Sequence, residues 1–127
     1  MDKIQAIHSF WNSFGIKAYD ESTVPDSMSF TNPNNKDLDP YITYELSMAE
    51  FGNEVASAVS LWYYGDSWKA IETKAKQIDE KIMNGGSQIP YDGGTLWIKA
   101  STPYRTRVKE SNDMVRRILI NTIIEYH

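Results

Sequence analysis

The stretch from Val55 to Tyr64 constrains the fold most. Val55, Ser57, Val59, Leu61 and Tyr63 fall on one face, and Ala56, Ala58, Ser60, Trp62 and Tyr64 on the other. Both faces are mostly apolar, so the segment predicts a central strand covered on both sides. A second long alternating stretch, Val115 to Tyr126, places Ile118, Ile120, Thr122, Ile124 and Tyr126 together. Arg117, Leu119, Asn121, Ile123 and Glu125 share its other face. Strands this long demand a sheet with a layer packed on it.

The remaining elements follow from shorter-range signals. Ile4, Ile7, Trp11 and Phe14 form one helical stripe, which predicts a helix over Lys3 to Phe14 stopped by Gly15. Residues 16 to 23 read as short and extended. Val24 to Pro40 holds three prolines and three asparagines and reads as a loop, spanning about 22–40 with its approach. Tyr41 to Leu46 is rich in aromatic and β-branched residues and predicts a strand, and Phe51-Gly52-Asn53 a turn.

Trp68, Ile71, Ala75, Ile78 and Ile82 recur at helical steps, capped by Asp66 or Ser67 and running to about Met83. Lys69, Thr73, Lys76, Gln77 and Glu80 face away, and Glu72 and Lys76 make a favourable pair at i,i+4. Ile89 to Tyr91, Asp92-Gly93-Gly94 and Thr95 to Ala100 give a hairpin. Ser101 to Asp113 reads as a loop. The result is an α+β domain over 1–127. It has a mostly antiparallel or mixed sheet of about five strands, flanked by two main helices.

Composition narrows the chemistry. With 127 residues the chain can bury a core without staples. It has no cysteine, which excludes disulfides, thiolate metal sites and cysteine nucleophiles, and fits a reducing compartment. The net charge of −4 disfavours wrapping duplex DNA. Met1-Asp2-Lys3-Ile4 lacks the features of a signal peptide, and no apolar run is long enough to span a membrane.

Few residues suggest catalysis. His8 lies beside the first helical stripe and His127 at the end of the sequence, and both read as structural. Neither a nucleophile elbow nor a Walker loop is present. The glycine pairs Gly85-Gly86 and Gly93-Gly94 fit turns better than a phosphate cradle. Asp37 and Asp39 alternate like the start of a calcium loop, but the required glycine and glutamate do not follow. The expected catalytic, metal and cofactor sets are therefore empty.

Two surfaces have binding chemistry. Trp62, Tyr63, Tyr64 and Trp97 can stack on a sugar or base, or serve core and subunit contacts. Arg105, Arg107, Lys109, Arg116 and Arg117 can meet phosphate or an acidic protein. In an extended segment Arg105, Arg107 and Lys109 would share one side, which makes them the candidate interaction surface.

Several segments in order resemble the tail-terminator family of long-tailed bacteriophages. Pro40 to Tyr44 looks like that family's entry into its first main strand. Val59 to Tyr64 followed by Ser67-Trp68 is similar to its strand-to-helix segment. Gly85-Gly86 with Gly93 to Ile98 looks like its hairpin, and Arg116 to Asn121 resembles its last strand. The likeness spans most of residues 40 to 126 and, more weakly, the first helix, and Asn32-Pro33-Asn34-Asn35 departs from it as an insertion.

The resemblance implies a small sheet flanked by helices, with no enzyme activity, cofactor or catalytic residue. It implies a homo-oligomeric ring, hexameric in the family, that caps the tail tube, ends its growth and joins it to the head. The expected partners are copies of the chain, the tail tube protein and head-tail connector proteins, with no membrane and no sequence-specific nucleic acid. The expected place is the head-proximal end of the virion tail, assembled in the host cytoplasm. A head-completion or other neck protein, or a small aromatic-lined ligand-binding module, are the alternatives.

Overall fold

The computed structural model describes residues 1–25 and 39–127. Its elements are α1 (Lys3–Asn12), β1 (Lys17–Asp20), β2 (Tyr41–Tyr44), β3 (Glu54–Tyr64), α2 (Lys69–Ile82), β4 (Ser87–Tyr91), β5 (Gly94–Lys109) and β6 (Val115–Tyr126). The strands form one six-stranded sheet in the order β1-β2-β3-β6-β5-β4. Only β1 and β2 are parallel; every other neighbouring pair is antiparallel. The α+β class is as expected. The sixth strand is β1, which arises from the short extended segment after the first helix.

The longest alternating segments became the centre. β3 and β6 pair along their whole lengths, from Glu54 opposite Glu125 to Tyr64 opposite Val115. One face of this pair carries Val59, Leu61, Ile118, Ile120 and Ile124, all at most 1% exposed. Both helices pack there. Ala6, Ile7, Phe10 and Trp11 of α1 and Ile71, Ala75, Ile78 and Ile82 of α2 join the same buried cluster.

The opposite face is covered only in part, against the expectation of cover on both sides. Near one end, Trp62 and Val115 pack with Tyr41, supported by Tyr19, Val24 and Tyr64. Toward the other end Ala58 is half-buried and Ala56 exposed. Both helices among the described residues pack on the first face, which leaves neither for the other.

Four local expectations are corrected. Ile4 belongs to the predicted stripe but is 52% exposed, because the buried arc of α1 is centred on Ile7, Phe10 and Trp11. That helix ends at Asn12 rather than Phe14, where the Ser13 hydroxyl donates to the Phe10 carbonyl. The cap position of α2 is Trp68, without a side-chain cap, while the Ser67 hydroxyl accepts from the Lys69 amide at 3.1 Å.

The largest correction concerns Ser101 to Asp113, read as a loop. β5 continues to Lys109. Ser101 to Tyr104 bulge out opposite Asn121, between the pairs Ala100–Thr122 and Arg105–Ile120, and pairing then resumes. Asn121 donates to the Pro103 carbonyl at 2.9 Å across the bulge. Thr102 and Pro103 read locally as breakers, yet the bulge absorbs them.

Two glycines are required by close approach. A Cβ on Gly86 would collide with the Ile98 carbonyl, and one on Gly94 with the His127 carbonyl. The hairpin glycines therefore serve packing as well as turning. Most of the long loop, including Asp37 and the Asn32 to Asn35 insertion, lies outside the described residues.

Candidate functional site

Arg105, Arg107 and Lys109 do share one face of β5. Their partners across the strand are Ile120, Ile118 and Arg116, so this is the helix side of the sheet. There α2 brings its carboxylates within reach. Arg105 Nη1 lies 2.9 Å from Glu72 Oε2, and Arg105 Nη2 lies 3.1 Å from Asp79 Oδ2. Arg107 Nε lies 2.9 Å from Glu72 Oε1. Glu72 thus turns to the sheet and bridges two arginines, instead of pairing with Lys76.

The electrostatics follow from partial burial. Burial opposes ionisation of Glu72, but the hydrogen bonds from Arg105 and Arg107 outweigh it and hold its carboxyl below the ordinary value. Burial likewise opposes the charge on Arg105, and Glu72 and Asp79 outweigh it and raise its pKa. Burial, then the neighbouring Asp79 carboxylate, pushes the Tyr104 hydroxyl up. Two of the three candidate cations are therefore engaged within the chain. Lys109 makes no hydrogen bond or ion pair among the described residues and is exposed.

Trp68 completes this seam. The Arg107 guanidinium lies 4.7 Å from its ring centroid and that of Arg116 5.4 Å. The ring is half-buried rather than enclosed, so it packs against the core and carries cations outside. Arg116 also donates to the Asp66 carbonyl at 3.1 Å.

The sheet divides the run of cations read from the sequence. Arg117 emerges on the other face, 3.2 Å from Glu110, donating to the Ser60 hydroxyl and lying 4.9 Å from the Trp62 ring centroid. Alternation already separates Arg117 from Ile118; that Arg116 shares a face with Arg105, Arg107 and Lys109 depends on the pairing of β5 with β6, which sequence alone does not show.

The aromatic candidates do not form one platform. Trp62 is 8% exposed, donates to Thr43 Oγ1 at 3.0 Å and stacks on Tyr41. Tyr63 faces the helices while Tyr64 faces away. Trp97 donates to the Gly85 carbonyl and lies under Lys99, whose Nζ is 4.7 Å from its ring centroid. Trp62 pairs with Arg117 and Trp97 with Glu125, eight positions apart on β6. That spacing is about 26 Å, too far for one small ligand to bridge.

The histidines are also separate. His8 Nδ1 lies 3.0 Å from the Tyr44 hydroxyl, and His127 Nε2 lies 3.2 Å from Glu125 Oε2. No group of three or more histidines or carboxylates among the described residues is placed to hold a metal. No helix among them is long and apolar enough to cross a membrane.

Asp2 and Gln5, three residues apart at the start of the first helix, form a capping box on α1. The Gln5 amide donates to Asp2 Oδ1 at 2.8 Å, and the Asp2 amide to Gln5 Oε1 at 2.9 Å. No protein-family model matches the chain, and none of the curated proteins it was compared with matches it.

Proposed function

We propose that this chain is a structural virion protein, a tail terminator whose copies form a ring on the end of a phage tail tube. One observation carries the reading. The segments on which the resemblance rests fold into neighbouring parts of one sheet and its helix. Pro40 to Tyr44 enters and forms β2, and Val59 to Tyr64 completes β3. Ser67-Trp68 opens α2, Gly85 to Ile98 makes the β4–β5 hairpin, and Arg116 to Asn121 lies within β6. Their order and spacing thus correspond to one packed unit rather than scattered similarities.

On this reading the partners are further copies of the chain, the tube protein below and the connector proteins above. The work is done by surfaces, with no bond made or broken. The test combines light scattering with negative-stain images of the purified chain, alone and with tail tubes. Rings of six copies on tube ends are expected, whatever the state of the free chain. Monomers in every condition, with bare tube ends, would overturn the reading. Replacing His8 and His127 with Gln should leave assembly nearly intact. Loss of assembly in a folded variant would point to chemistry instead of surfaces.

A further inference from the structure

We infer that the chain joins copies of itself edge to edge, with the outer half of β5 in one copy pairing against β1 of the next. This inference rests on the ring proposed above and names the surfaces that would build it.

The first observation is an unpaired edge. β4 pairs only with Gly94 to Ile98 of the 16-residue β5. From Lys99 to Lys109 no strand among the described residues pairs with the outer side of β5. At the other end of the sheet, β1 pairs among the described residues with β2 alone. Among the described residues, each copy therefore carries one stretch at each sheet edge that no strand pairs, with the Asp20 carbonyl of β1 already accepting from the Thr23 amide at 2.8 Å.

Basic side chains usually guard such an edge against pairing. Here Glu72 and Asp79 hold Arg105 and Arg107 on the helix side of the sheet. Two of the three guards are thereby anchored to their own helix.

The second observation is strand direction. β6 is antiparallel to β3 and β5, β2 is antiparallel to β3, and β1 is parallel to β2. So β1 and β5 run in opposite directions. Copies related by rotation about an axis along the strands bring β5 of one against β1 of the next in antiparallel fashion. Such a contact uses two different surfaces, so it propagates head to tail and closes into a ring when the rotation permits.

The third observation is register. Ala18 and Asp20 lie on the helix side, opposite Ile42 and Tyr44. A sheet that continues between copies must match Asp20 to a helix-side residue of β5. Placing Asp20 opposite Arg107 sets Tyr19 opposite Val108, Ala18 opposite Lys109 and Lys17 opposite Glu110. Two cross-strand pairs then have opposite charge, with Asp20 Oδ1 also accepting from Ser22 and Glu110 Oε1 from Arg117 of their own copies, and one pair is apolar. Shifting Asp20 to Arg105 keeps only one charge pair and sets Lys17 opposite Val108. Arg107 uses Nε for Glu72 and is 54% exposed at its side chain, so its remaining donors are available to Asp20.

The chain has no cysteine, so engineered thiols report this contact cleanly. The same register places Glu21 opposite Thr106, and both are exposed. Within one copy they are four strand spacings apart, roughly 19 Å. A disulfide needs Cα atoms within about 7 Å, so any bridge must join two copies.

The experiment is mild oxidation of the Glu21→Cys, Thr106→Cys double variant, with sedimentation run in parallel, alone and with tail tubes. A covalent ladder rising to the ring is expected. A mixture of the two single variants should give only heterodimers, and Glu21→Cys with Thr102→Cys should give no ladder. Sedimentation that shows assembly without the ladder would overturn this contact and leave the ring reading standing. Monomers throughout, with no attachment to tubes, would overturn both.

Discussion

The two faces of the sheet differ in how they are finished. On the helix face, Leu61, Ile118 and Ile120 are at most 1% exposed and packed by two amphipathic helices. On the other face, Leu119 and Ile123 on the same strand are only half-buried, and Ala56 is exposed. Folding free energy is concentrated on the first face. The second face and the sheet edges keep surface that is still open to burial. The difference separates residues that hold the fold from residues available for association.

Paired substitutions test that separation most strongly. Ile118→Ala should cost about 2–5 kcal/mol, since it removes fully buried methylenes and leaves a cavity. Leu119→Ala, one residue along and on the other face, should cost about 1 kcal/mol. Chemical denaturation of both variants decides it. Equal losses would mean that the second face is as well covered as the first.

The next effect is at the seam between α2 and β5. A fully enclosed tryptophan would lose about 3–5 kcal/mol on truncation. Trp68 is half-buried beneath two guanidinium groups, so Trp68→Ala should lose about 1–2 kcal/mol. A loss at the higher figure would show that the ring anchors the core instead of the seam.

Glu72 adds a dependence on pH. Its pKa is lowered in the folded chain from an ordinary value of 4.5. The stability it contributes is therefore present above that value and is lost as pH falls through the folded pKa. Replacing Glu72 with Gln should remove up to about 1 kcal/mol at neutral pH and flatten the acid limb of the unfolding profile. An acid limb identical to the parent's would mean that the bridge to Arg105 and Arg107 contributes nothing.

The smallest effect should come from Lys109. Lys109→Glu should shift stability by less than about 0.5 kcal/mol, because the side chain is exposed and has no partner among the described residues. Arg105→Glu should do more, because it would set a third carboxylate beside Glu72 and Asp79. Melting curves of the two variants should therefore differ, although the positions are four residues apart on one strand.

That contrast shows how far the sequence could be read. Alternation fixed the bounds of β6, and those of β3 to within one residue, because burial on a sheet imposes a period of two. It also placed Arg105, Arg107 and Lys109 on one side. It missed the continuation of β5, because Thr102 and Pro103 look like breakers and only the pairing with β6 shows the bulge. It placed Trp68 at the head of a buried stripe, because helical spacing does not reveal where the sheet beneath the helix ends. The acidic partners of the arginines were out of reach too. Glu72 lies more than thirty positions from Arg105, and only the packing of α2 across the sheet brings them together.

In the ring proposed above, the sheet edges, rather than the open face, would join one copy to the next. Amide hydrogen exchange of the free chain and of the chain assembled on tail tubes measures this directly. Slowing is expected at Lys17 to Glu21 and at Arg105 to Lys109, with Ala56 and Ala58 unchanged relative to the free chain. Protection centred on Ala56 and Ala58, with both edges exchanging as in the free chain, would contradict it.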